Sequence, residues 1–74
     1  MSKIPGLTGT KLIKALAKLG FTIVRIKGSH YFLKSLDGRK TTIPVHRGET
    51  IGVGLLSKIL RDVELSRDEL LNLL

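Results

Sequence analysis

From Phe21 to Val45 the chain largely alternates apolar and polar side chains, and the pattern breaks twice, at Gly28-Ser29 and at Asp37-Gly38. Successive residues of a strand point to opposite faces, so such alternation reads as an antiparallel meander with one buried face and one open one. β-branched and aromatic residues fill Phe21 to Lys27 and Tyr31 to Ser35, and Gly28-Ser29 has the make-up of a two-residue hairpin turn. A third strand is expected over Thr41 to Val45. Pro44, which has no N–H for a ladder, fits only an edge strand or a strand end.

A turn at Gly28-Ser29 pairs Lys27 with His30, Ile26 with Tyr31, Arg25 with Phe32 and Val24 with Leu33. A three-residue loop from Asp37 to Arg39 would then pair Tyr31 with Val45 and Leu33 with Ile43. In this register one face carries Val24, Ile26, Tyr31, Leu33, Ile43 and Val45, an apolar surface for two helices to cover. The other carries Arg25, Lys27, His30, Phe32, Lys34, Thr42 and His46, and a slip of one residue would scatter both sets.

Helical periods flank the strands. Thr8 or Thr10 can cap a first helix with Leu12, Ile13, Leu16, Ala17 and Leu19 on its apolar face, stopped by Gly20. Lys11, Lys14 and Lys18 form a basic stripe on its outer face, suited to phosphates or simply to solvent. After the glycine-rich "HRGETIGVG", Thr50 is the expected cap of a second helix buried through Leu55, Leu56, Ile59, Leu60 and Val63. Gly52 and Gly54 should either fray its first turn or mark a close backbone approach. Ser66 followed by Glu69 is a capping box, with Leu65 and Leu70 as its hydrophobic staple, so a short third helix begins there, and its leucines dock on the core or on a second chain, the core being favoured. The expected architecture is α+β, an αβββα order with a three-stranded antiparallel sheet, helices on one face and a short C-terminal helix.

A chain of 74 residues has room for one domain, residues 1–74, with a small core and no cysteine to reinforce it. No apolar run approaches the roughly 18 residues of a membrane span, and "MSKIPGLTGTK" lacks the apolar centre of a signal peptide, so a cytoplasmic protein is expected. The net charge of +7 is uneven: residues 1–48 hold ten Lys/Arg against Asp37 alone, whereas residues 49–74 hold three against five acids. A basic field on so small a domain attracts a polyanion, nucleic acid first; an anionic membrane surface is the weaker alternative, because no expected helix combines a broad apolar face with bulky interfacial aromatics.

The open face combines cations for phosphate, Phe32 for base stacking and two imidazoles for proton transfer, which is what single-stranded RNA chemistry requires. A neutral His30 can take the proton of a ribose 2′-hydroxyl, because histidine's ordinary pKa near 6.5 leaves both forms accessible at neutrality. Arg25, Lys27 and Lys34 can stabilise the phosphorane, and His46 can protonate the leaving oxygen or merely hydrogen-bond its own loop. The alternative for His30 is a solvated hairpin residue. Ser29 has no nearby acid to complete a Ser-His nucleophile, and two histidines without a carboxylate or thiol cluster do not make a metal site, so neither metal nor cofactor is expected.

Four stretches, "KLGF", "KGSHYFLK", "IPVH" and "LLSKILRDVELSRDELLNLL", in this order and over essentially the whole chain, resemble the HicA-type toxins of type II toxin–antitoxin pairs. The resemblance implies a double-stranded-RNA-binding-domain-like fold, translation-independent endoribonuclease activity on messenger RNA, and inhibition by a HicB-type antitoxin. It places the family's catalytic histidine at His30 and carries over no established role for His46. RNA contacts are expected from Arg25, Lys27, Ser29, Phe32, Lys34, Lys11, Lys14 and Lys18. A non-catalytic RNA-binding module is the other reading of the same surface. One departure is "TIGVGLL", where the family more often has basic residues before the helix.

Overall fold

The computed structural model describes residues 4–74; Met1 to Lys3 of the opening stretch lie outside the described residues. Its elements run α1 (Gly9–Ala17), β1 (Thr22–Lys27), β2 (His30–Lys34), β3 (Lys40–Pro44), α2 (Val53–Val63) and α3 (Arg67–Leu73). The sheet is antiparallel in the order β1-β2-β3, and the α+β order is the one expected from the sequence. No helix among the described residues is long and apolar enough to cross a membrane.

Local chemistry accounts for most boundaries. Thr8 caps α1, its hydroxyl accepting from the Lys11 N–H at 3.2 Å. At the other end the Phe21 N–H donates to the Leu16 carbonyl and the Gly20 N–H to that of Ala17, a left-handed stop that Gly20 makes possible at φ 94°. The capping box of α3 is present in both directions between Ser66 and Glu69, and Leu65 and Leu70 both pack on the core. The second cap differs from expectation. Gly52, not Thr50, is the N-cap of α2, because Thr50 is drawn into a bridge with Thr8 while the Ile51 N–H donates to the Leu7 carbonyl at 2.7 Å.

The first hairpin pairs Lys27 with His30, Ile26 with Tyr31 and Arg25 with Phe32, as the alternation requires. The expected Val24–Leu33 pair is absent. A β-bulge leaves Val24 unmatched, so Leu33 faces Ile23. In the second hairpin Tyr31 faces Ile43 and Leu33 faces Thr41, two positions away from the expected register. Its loop is Leu36 to Gly38, closed by the Ser35 N–H donating to the Arg39 carbonyl, rather than Asp37 to Arg39. A shift of two preserves the face of every side chain of β3, so the division into two faces survives on β2 and β3, while on β1 the bulge puts Ile23 rather than Val24 opposite Leu33.

Leu33 and Ile43 point into a core completed by Leu12, Ala15 and Leu16 of α1, Leu56, Ile59, Leu60 and Val63 of α2, and Leu70 of α3. Ala15, not Ala17 or Leu19, joins the buried face of α1. The helices sit over β3, with α1 also against α3. They do not reach across the sheet: Ile23, Val24 and Ile26 of β1 remain 46%, 59% and 54% exposed, so the expected cover over Val24 and Ile26 is missing. Arg39 fastens the second hairpin to α2 by donating to the Val63 carbonyl at 2.6 Å with its guanidinium over the Phe21 ring.

Neither Gly52 nor Gly54 approaches another backbone; the tight contact is at Gly9, where an added Cβ would overlap the Pro44 carbonyl oxygen. Ala would improve helix propensity there by about 1 kcal/mol, but forcing a methyl into that space costs about 1–3 kcal/mol. Gly9→Ala is therefore expected to lower the unfolding temperature, measured by circular dichroism, whereas Gly54→Ala, with open space around it, raises it or leaves it unchanged.

Three carboxylates are held below their ordinary pKa values. The Ser35 hydroxyl and then the Arg39 N–H act on Asp37, the Lys58 ammonium and the Thr41 hydroxyl on Asp62, and the Ser66 backbone N–H on Glu69. A depressed carboxyl stabilises the fold above its unfolded pKa and loses that contribution as pH falls through the lower folded value. The unfolding temperature should accordingly drop below about pH 4, and Asp62→Asn should flatten part of that drop.

Candidate active site

His30 is the first residue of β2, directly after the turn. Gly28 takes φ 59° at the first turn position, a conformation suited to glycine in a tight hairpin and matched to strand twist. Pairing with Lys27 on one side and Pro44 on the other fixes the backbone of His30, while its side chain stays exposed on the face opposite Leu33 and the helices.

Along the same face, Arg25 stands across from Phe32 and lays its guanidinium 5.6 Å from the ring centroid. The half-buried Phe32 thus has a cation on it already, and the pair offers a flat, positively charged platform. Lys34 continues the row, with Thr42 opposite Phe32 on β3. Arg25, Lys27, His30, Phe32 and Lys34 are therefore brought together on one open surface.

His46 lies two residues beyond Pro44, which itself faces His30. The Val45 N–H donates to the Ser29 carbonyl at 2.7 Å and extends the ladder past β3. His46 Nε2 is 3.5 Å from the Ser29 hydroxyl, so the second imidazole is tied to the residue next to His30. Ser29 contacts a histidine, but no carboxylate joins them.

The lysine stripe is not part of this face. Lys11, Lys14 and Lys18 are exposed on α1, in the helix layer, and Lys18 Nζ donates to the Leu73 carbonyl at 2.6 Å, which ties α1 to α3. One residue was not expected: Lys40, on the outer face of β3, directly opposite Lys34. The corrected register reveals it, since the expected pairing puts a different residue there.

Surface recesses of about 510 Å³ and about 460 Å³ border Arg25, Phe32 and Lys34 and border Val24 and Leu36, and neither is lined by His30 or His46. The histidines thus stand on an open face, a shape suited to a chain-like ligand lying along it. Among the described residues no three His, Cys, Asp or Glu side chains gather as a ligand set for a metal.

With this geometry in view, a family model for the HicA toxin of bacterial toxin–antitoxin systems matches residues 9–65, most of the chain. The chain belongs to the HicA toxin family. All ten candidate residues, from Lys11 to His46, lie inside the matched span. No curated protein matches the chain. Membership makes this chain the toxin of a toxin–antitoxin pair, with a cognate antitoxin as its partner. Expression of the toxin alone should arrest growth of its host, and co-expression of its antitoxin should restore it, as read from colony counts after induction.

Proposed function

We propose that the toxin is a metal-independent endoribonuclease that cleaves messenger RNA with His30 as its base and is inhibited by a HicB-type antitoxin. The observation that carries this reading is the position of His30, outward at the head of β2, paired with Lys27 and in line with the Arg25–Phe32 platform. Such a face meets each demand of the reaction: cations for the phosphate, a platform for a base and an exposed imidazole for a proton.

In the reaction the His30 imidazole takes the proton from a ribose 2′-hydroxyl. The 2′-oxygen forms a bond to the adjacent phosphorus as the bond from phosphorus to the 5′-oxygen breaks. Lys27 and Arg25 stabilise the added charge of the phosphorane, which develops beside them. His46, oriented by its contact with Ser29, gives a proton to the leaving 5′-oxygen, so the products are a 2′,3′-cyclic phosphate and a 5′-hydroxyl. The antitoxin neutralises by covering this basic face, for which an acidic surface is complementary. Lys11, Lys14 and Lys18 extend the electrostatic field from the helix layer rather than touching the scissile phosphate.

A gel assay on single-stranded RNA with a metal chelator tests the reading. His30→Ala should lower cleavage by at least about 10²-fold while RNA binding survives. RNA left intact by folded wild-type protein would reduce the toxin to a non-catalytic RNA-binding module, and cleavage that persists in His30→Ala would move the site elsewhere. Phe32→Ala should weaken RNA binding by about 1–3 kcal/mol, measured by fluorescence anisotropy, if a base stacks on that platform.

A further inference from the structure

Lys34 and Lys40 stand directly opposite each other across the β2–β3 ladder, both exposed and on the face that carries His30. Like charges in that relation destabilise a sheet. Among the described residues neither lysine has an ion-pair partner, whereas Arg39 pairs with Asp37 and Lys58 with Asp62. Arg25, Phe32, Thr42 and, from α2, Lys58 border a recess of about 510 Å³ beside the two lysines. Lys34 and Lys40 line it as well, and Asp62, the one carboxylate on it, is already paired with Lys58.

We infer that Lys34 and Lys40 hold a second phosphate of the bound RNA, away from the scissile bond. The inference rests on the RNA-cleaving reading of this face and adds a place where the strand is gripped. Lys34 lies four residues along β2 from His30, about 13 Å at the usual rise of a strand. A stacked single strand advances about 3.4 Å per nucleotide, so the gripped phosphate lies up to about four nucleotides from the cut, and fewer if the RNA is extended. An isolated anion would not need that spacing, whereas a strand lying along the face brings one phosphate to each end.

The test uses His30→Ala protein, so that the RNA stays intact and binding is read whatever the fate of the cleavage reading. Affinity for a ten-nucleotide RNA is measured over a series of salt concentrations by fluorescence anisotropy. Adding Lys40→Gln should weaken binding and reduce the steepness of the log–log salt dependence by up to about 0.7, the value for complete loss of one phosphate contact on a single strand. Lys34→Gln should do the same. A dinucleotide too short to span the two sites should lose less affinity on either substitution than the ten-nucleotide RNA does. Both Gln variants should unfold at a temperature no lower than the parent at low salt, because the repulsion is relieved. A salt slope unchanged in both variants overturns the inference, as does equal weakening on the dinucleotide. Stabilisation by inorganic phosphate that requires Lys40, with RNA affinity unaffected, also overturns it in favour of a free-anion site. Failure of wild-type protein to cleave RNA is a separate result and counts against the ribonuclease reading alone.

Discussion

The approach of Gly9 to the Pro44 carbonyl leaves no room for a side chain, and the placement of both layers depends on it. Through it the first turn of α1 rests on the last residue of β3, so the helix layer is registered against the sheet at the end where His30 and His46 lie. The neighbouring bridge from Thr8 to Thr50 and the bond from Ile51 to Leu7 close the same corner from the other side. The segment carrying His46 is thereby held at both ends: by the Val45–Ser29 bond where it leaves the sheet and by Thr50 and Ile51 where it enters α2. Fixing that segment brings a second imidazole to Ser29.

Within β2, support and work alternate. Leu33 is buried beneath the helices, while His30, Phe32 and Lys34 face outward. A single five-residue strand therefore anchors the core and displays the exposed, basic face. Removing the Leu33 side chain would cost about 2–5 kcal/mol, as large buried side chains do, and would loosen the site from behind. The strand thus commits one surface to folding and leaves the other exposed.

Much of this was legible in the sequence where the controlling interaction is local. Ser66 with Glu69, Thr8 before α1 and Gly20 after it are contacts within a few residues, and each lies where the pattern puts it. The faces of β2 were legible because alternation permits only two choices. Registers were less so, since moving β3 by two residues keeps every apolar side chain inward, and only the Leu36–Gly38 loop decides between the registers. Lys40 opposite Lys34 was hidden for that reason. The diversion of Thr50 to Thr8 and the uncovered Ile26 depend on distant segments, of which local spacing carries no trace, and nothing in the alternation marks the bulge at Val24. For the site, His30 and the Arg25–Phe32 pair follow from the first hairpin alone, whereas the link from His46 to Ser29 needs the third strand in place.

The uncovered β1 gives the site two unequal halves. His30, Phe32 and Lys34 ride on a central strand that is paired on both sides and packed from below, whereas Arg25 and Lys27 ride on an edge strand whose neighbour in the sheet is β2 and whose apolar side chains stay half in water. Segments with few buried contacts open at a lower free energy than the whole domain. Opening at that edge would carry the cations of β1 away and leave the strand of His30 in place, so the two halves of the exposed face are held with unequal firmness.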